Sequence, residues 1–350
     1  MTSHATLSFT SDNVAPVARE VLAAIERANA GTVHSYGEDP VTERLQAVAR
    51  EAFGTELLVY PVATGTAANA LSLACLAPPH GAVYCHEQAH VNSDECGAPE
   101  FYTAGAKLIG LPSPDGKLAA SQRAAPLAHA QEMGVHHVEP AAVSLSQATE
   151  WGTVYTPAEV SAVATVAHGA GLGLHMDGAR LANALAHLGC SPAEGTWQAG
   201  VDVLSFGGTK NGALAAEAVI FFAPERARAF ERRRKRAGQL WSKQRYLSAQ
   251  LLALLEDGLW LRHARHANTL AAQLAAGLVH AGLQLAQLVQ ANEVFAHFPA
   301  PLSASLRARG FEFYDWPAPA GTAVPLVRLV TRYDQQPEQV EALLDAIRSA

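Results

Sequence analysis

The stretch LSFGGTKNG, residues 204–212, places one lysine, Lys210, among glycine, serine and threonine, directly behind the apolar residues Val201, Val203, Leu204 and Phe206. Surface lysines usually decorate helices. This one stands where a buried strand gives way to a loop, a position at which an amine can serve as a chemical handle. The same pattern recurs around it. Short apolar segments at Leu57–Tyr60, Ala82–Cys85, Lys107–Leu111, Val143–Leu145, Leu172–Met176 and Val219–Phe222 read as further strands. Helical patterns separate several of them, notably Pro157–His168 with Val160, Val163, Ala164 and Ala167, and another helical run covers 15–30. Strand and helix in alternation argue for an α/β fold with a mostly parallel sheet covered on both faces.

The texture then changes. Leu247 to Leu288 is a near-continuous helical pattern, followed by strand candidates at Glu293–His297, Phe311–Tyr314 and Pro325–Val330. A last helix, Pro337–Ser349, carries Val340, Leu343, Leu344 and Ile347 on one face. The expected division is an N-terminal arm and large domain over 1–246 and a small α+β domain over 247–350.

With 350 residues and a formal charge of −7, the chain is large enough for two cores and too acidic for a nucleic-acid or anionic-membrane partner. The basic run Arg232–Arg236 reads as a solvated helix face, or as part of an anion site or subunit contact. Cys75, Cys85, Cys96 and Cys190 show no zinc spacing, so no metal is expected. The opening MTSHATLSFTSD has no secretory character and no apolar run approaches the ~20 residues of a membrane span. The expected compartment is the cytoplasm.

Ligands of a parallel sheet collect at the carboxyl ends of its strands, and four polar motifs fall at such ends. In ATGTAAN (63–69), Gly65 and Thr66 open a helix whose free backbone N–H groups suit a phosphate, although a plain cap reads the same way. In HMDGAR (175–180), Asp177 stands at a strand mouth and needs a cationic partner; Arg180 is one candidate. In EQAHVNSDECG (87–97), His90 is a flat stacking face, an acid/base, or an ordinary loop histidine. Lys210 completes the set as a nucleophile toward aldehydes. Each motif alone has a bland reading. Together they describe a phosphate, a ring, a ring nitrogen to be kept protonated and an aldehyde carbon, which is pyridoxal 5′-phosphate (PLP).

In order, SDN (11–13), YGEDP (36–40), ATGTAAN, AHVNSDECG, HMDGAR, GGTKNG and PLVRLVT (325–331) resemble the L-threonine aldolases, specifically the low-specificity and L-phenylserine type. That family is a branch of the aspartate-aminotransferase-like, fold type I PLP enzymes, and the resemblance spans essentially the whole chain. It implies that Lys210 carries the cofactor aldehyde, Asp177 pairs with the ring nitrogen, Gly65 and Thr66 hold the phosphate and His90 stacks on the ring. Arg180 would approach the phenolic oxygen or the substrate carboxylate, with Ser11 and Arg328 fixing that carboxylate. Lys243, in preference to Arg245, would reach the phosphate from a neighbouring subunit of a homo-oligomer, a dimer or tetramer. A second active-site histidine is expected just before the strand AAVSLSQ, where His136 and His137 are adjacent and His136 has the better spacing.

The implied reaction is reversible cleavage of threonine, allo-threonine, phenylserine or a similar β-hydroxy-α-amino acid to glycine and an aldehyde. His90 and His136 are the candidate bases for the β-hydroxyl, directly or through water. The competing expectations are β-elimination, racemisation or transamination on the same scaffold, and a non-catalytic PLP or amino-acid sensor.

Overall fold

In an extended chain successive side chains face opposite ways, so a strand that is apolar at every position must be covered on both sides. The computed structural model, which describes residues 7–119, 132–317 and 324–350, shows that arrangement. A seven-stranded sheet runs in the order β2-β8-β7-β6-β5-β3-β4. Its members are β2 (Leu58–Val62), β3 (Gly81–His86), β4 (Lys107–Leu111), β5 (Glu139–Ser146), β6 (Gly173–Gly178), β7 (Val203–Phe206) and β8 (Glu217–Phe221). Only β8 runs against the rest.

The alternation is visible residue by residue. Tyr84, Leu204 and Ile220 pack on one face beneath the helices Pro40–Phe53, Pro157–Gly169 and Arg245–Leu255. Val83, Val203 and Val219 pack on the other beneath the helix Gly65–Leu76. Along β6, Leu174 and Met176 belong to the first face, so His175 and Asp177 point toward the helix Gly65–Leu76. The helix Pro40–Phe53 has no counterpart in the sequence reading, although Asp39 caps it, Pro40 opens it and Gly54 (φ 64°) closes it.

The expected helical run 247–288 is two helices, Arg245–Leu255 and Leu259–His280, broken at Glu256–Gly258, where Asp257 and Gly258 take φ of 55° and 66°. Leu259 to Ala264 still pack in the sheet core, whereas Leu270, Leu274 and Leu278 pack in a second core with Val327, Leu329, Leu343 and Leu344. The two cores therefore meet partway along one helix. Phe9 also lies in the second core, because β1 (Leu7–Ser8) pairs with β10 (Phe311–Glu312). Next to it, β9 (Glu293–His297), β12 (Leu326–Val330) and β11 (Tyr314–Trp316) form an antiparallel sheet with β12 central.

The basic run lies in the helix Phe230–Arg236 and is only partly solvated. Arg234 is buried and donates to Pro61 O at 2.6 Å, while Lys235 sits over the Tyr36 ring at 4.3 Å. Among the described residues, no helix is long and apolar enough to cross a membrane.

The loop carrying Lys210 is pressed against the end of β6. A Cβ at Gly207 would fall 2.5 Å from Ala179 O and 2.7 Å from Ala179 Cα, both rigid backbone atoms. Gly207→Ala should therefore destabilise the protein by about 1–3 kcal/mol, as an overpacked core does, measured by denaturant unfolding. An unchanged midpoint would contradict this packing.

Candidate active site

Six strands of the main sheet send their carboxyl ends to one edge, and β8 begins there. A cavity of about 340 Å³ opens at this edge, lined by Thr64, Gly65 and Thr66 after β2, His90 after β3, and Ser146, Ala148 and Glu150 at and after β5. Asp177 of β6 with Ala179 and Arg180 just after it, Thr209 and Lys210 after β7, Glu217 of β8, Asn69 of the helix Gly65–Leu76 and Asn13 of the N-terminal arm also line it. Most ligand cavities range from about 300 to 1,000 Å³, so a single small cofactor and its substrate fit this one.

Sequence proximity explains none of this. Asp177 and Lys210 come together because β6 and β7 are parallel neighbours, with Asp177 opposite Ser205. Asp177 Oδ2 accepts from Asn69 Nδ2 at 2.8 Å and Oδ1 from Ala179 N at 3.0 Å, which fixes the carboxylate plane. Among the described residues, no hydrogen bond or ion pair ties up the Lys210 amine. Its loop is held instead by Glu217, whose carboxylate accepts from Gly208 N at 2.9 Å and Thr209 N at 3.3 Å.

At the start of the helix Gly65–Leu76, Thr64 rather than Thr66 is the cap, accepting from Ala67 N at 3.2 Å. A Cβ built on Gly65 would meet no protein atom within 4 Å. Glycine there leaves room that the protein itself does not use, and that room adjoins free N–H groups at the positive end of a helix, as an anion requires. The donor set thus fits PLP: an amine, a fixed carboxylate, a helix terminus and a ring.

His90 is the only histidine lining the cavity among the described residues. Its Nδ1 lies 2.8 Å from Glu95 Oε1, and its backbone N donates to Glu150 at 3.3 Å. The hydrogen bond to Glu95 raises its pKa against the opposing effect of burial, with help from the charges of Asp177 and Glu150.

Arg180 does not pair with Asp177. It donates to Asp12 Oδ2 and Oδ1 at 2.8 and 3.0 Å and lies 3.4 Å from Glu293. Burial alone would raise the Asp12 pKa, but Arg180, Lys210 and the hydrogen bonds from Arg180 and Asn292 outweigh it and the net shift is downward. Burial pushes Glu293 up, and the cations Arg180 and Arg328 only partly offset it.

Four sequence-assigned residues lie off the cavity wall. Arg328, on β12, is 3.7 Å from Glu293 and so joins Arg180 through a shared carboxylate; its guanidinium lies 4.6 Å from the Trp316 ring. Ser11 caps a short turn by accepting from Asn13 N at 3.1 Å; Asn13 lines the cavity, and Asp12 binds the Arg180 guanidinium. Lys243 is exposed in the segment before the helix Arg245–Leu255. His136 is exposed beside the amino end of β5, a strand length of roughly 25 Å from the cavity edge at ~3.3 Å per residue. Neither it nor His137, whose Nδ1 contacts Val138 O, reaches the cavity within one chain.

Sequence reasoning passed over Asn69, Glu95, Glu150, Glu217, Asp12 and Glu293. A usable signal existed for one of them: Asn69 is the single amide in the apolar helix GTAANALSLACL.

Residues 8–300 match the family model described as beta-eliminating lyase. The low specificity L-threonine aldolase of a Pseudomonas species is 45% identical over 344 residues, 97% of each chain. A solved threonine aldolase of Leishmania major superposes with a TM-score of 0.92 at 27% identity, covering 98% of both chains. More distantly, Oryza sativa TDC, solved with PLP and tryptamine, shares the fold at a TM-score of 0.76 and 14% identity, over 98% of this chain and 82% of that one. The chain therefore belongs to the beta-eliminating lyase family, in its threonine aldolase branch.

Proposed function

We propose that this protein is a low-specificity L-threonine aldolase that holds PLP and reversibly splits β-hydroxy-α-amino acids into glycine and an aldehyde. The observation that carries the reading is the convergence of Lys210, Asp177, His90 and the Gly65 helix start on one cavity, in a chain 45% identical to a low specificity L-threonine aldolase. Bound there, PLP supplies an aldehyde that takes up amines and a ring that accepts the electron pair of a breaking bond at the α-carbon.

The chain's own groups do the rest. Lys210 would hold the cofactor aldehyde and Asp177 the ring nitrogen, with Asn69 and Ala179 N keeping the Asp177 oxygens in place. Gly65 and Thr66 would bind the phosphate, and His90 would lie against the ring. Arg328, Arg180 and the N-terminal arm at Ser11–Asn13 would orient the substrate carboxylate, and orientation decides which α-carbon bond is aligned to break. Asp12 grips Arg180, and Glu293 lies between the two arginines, so both guanidinium groups are held in position. His90 would take the β-hydroxyl proton, directly or through water. A base acting through water discriminates weakly between β-epimers, which favours low specificity and admits phenylserine. We further propose a homo-oligomer, dimer or tetramer, in which Lys243 or Arg245 of one subunit completes the phosphate site of another. Four free cysteines suit a reducing cytoplasm.

Incubation with L-threonine, L-allo-threonine and the phenylserine epimers should release acetaldehyde or benzaldehyde with stoichiometric glycine. 2-Oxobutanoate from threonine, or phenylpyruvate from phenylserine, as sole product would point to β-elimination instead, and the 3-hydroxy-2-oxo acid of either substrate to transamination. Arg328→Ala should raise KM by roughly thirtyfold or more, the equivalent of about 2 kcal/mol for a lost charged contact, with a smaller change in kcat; an unchanged KM removes Arg328 from the carboxylate subsite. His90→Asn should lower kcat by roughly 10²–10⁴-fold, and a loss under tenfold would leave the proton transfer to another group.

A further inference from the structure

We propose that Glu95 is a positioning residue that fixes the tautomer of His90 and, through Asn69, ties that ring to Asp177. The three links are equal in length: His90 Nδ1 to Glu95 Oε1, Asn69 Nδ2 to Glu95 Oε1, and Asn69 Nδ2 to Asp177 Oδ2 are each 2.8 Å. Glu95 acts from behind the wall, since its side chain is 0% exposed while that of His90 is 35% exposed. Among the described residues, no donor reaches its second oxygen, Oε2, which is buried.

The chemistry of the donors leaves one arrangement. Asn69 NH₂ has two hydrogens and two carboxylates to receive them. The flipped amide would set its carbonyl oxygen 2.8 Å from two carboxylate oxygens, so Oδ1 turns away and is left buried and unbonded. Burial raises the Glu95 carboxyl, and the hydrogen bonds from His90 and Asn69 pull it back only in part; once ionised it only accepts, so the hydrogen between Glu95 and His90 then belongs to Nδ1. Neutral His90 is therefore the Nδ1–H tautomer, with Nε2 as its single acceptor on the side away from Glu95. A ring held this way can receive a proton only at Nε2. A carboxylate behind a working histidine commonly sets ring orientation and basicity in this manner.

The charged groups facing His90 are Glu95, Glu150 and Asp177, with Lys210 and Arg180 on the same cavity wall. The Glu95 hydrogen bond is the largest influence on its titration and acts upward. His90 thus becomes a neutral acceptor at higher pH than it would without Glu95. If it is the base, the acid limb of kcat/KM follows it.

The inference rests on the aldolase reading only where it concerns turnover, and the two are tested separately. In the holoenzyme without substrate, deuterium exchange at each imidazole C2, followed peptide by peptide by mass spectrometry across neutral pH, gives the titration midpoint of His90. We expect the wild-type midpoint above the free-histidine value of about 6.5, and a shift to lower pH in Glu95→Gln, which keeps an acceptor and removes the charge. His168, paired with Asp202 on another part of the sheet, should not move. A wild-type midpoint at or below the free-histidine value overturns the proposal even if no variant folds, as does an unmoved midpoint in folded E95Q. In aldehyde release, E95Q should shift the acid limb of kcat/KM to lower pH, and the same change in an H90N background should shift nothing. A limb that moves equally in both backgrounds would mean that Glu95 acts through some other group.

Discussion

The parallel pairing of β6 with β7, with Asp177 opposite Ser205, is the constraint on which the site depends. Parallel neighbours end on the same side, so the residue that closes β6 and the loop that leaves β7 must share one edge of the sheet. The edge is built by close approach as much as by pairing: Gly207 lies flat against Ala179, and Glu217 ties down the amides of Gly208 and Thr209. The Lys210 loop has little freedom to be elsewhere.

Charge is the second organising feature. Asp12, Glu150, Glu217 and Glu293 are carboxylates drawn from the arm, a loop, the antiparallel strand and the small sheet, and Lys210, Arg180 and Arg328 stand among them. Burial raises Glu150, Glu217 and Glu293; nearby cations pull back Glu150 and Glu293, and hydrogen bonds from Thr209 and Gly208 pull back Glu217, each only in part. Asp12 alone ends below its usual value, because Arg180 grips both its oxygens. A buried ion pair of this kind contributes little net stability, but removing one partner is costly because it strands the other charge. The cluster therefore fixes where Arg180 and Arg328 sit more than it strengthens the fold.

What was legible in the sequence is what repeats locally. Strands announce themselves by continuous apolar runs, and strand-end chemistry by Lys210, Asp177, Gly65 and His90, all of which line the cavity. What was not legible depends on distance across the fold. Glu293 lies over 110 residues from Arg180, and no spacing rule connects them. Proximity to a strand says nothing about which end of it faces the ligand, and His136 sits beside the amino end of β5, away from the cavity of its own chain. The break at Glu256–Gly258 was concealed by strong helical periodicity on both sides, although an Asp-Gly pair is a familiar turn signal.

The central claim, that the Lys210 amine is the group that carries the cofactor, is tested most directly by reducing the holoenzyme with borohydride and mapping the modified peptide. The account predicts a single pyridoxyl adduct at Lys210, in the peptide containing FGGTKNG. An adduct at another lysine, or cofactor released intact after reduction, would contradict it.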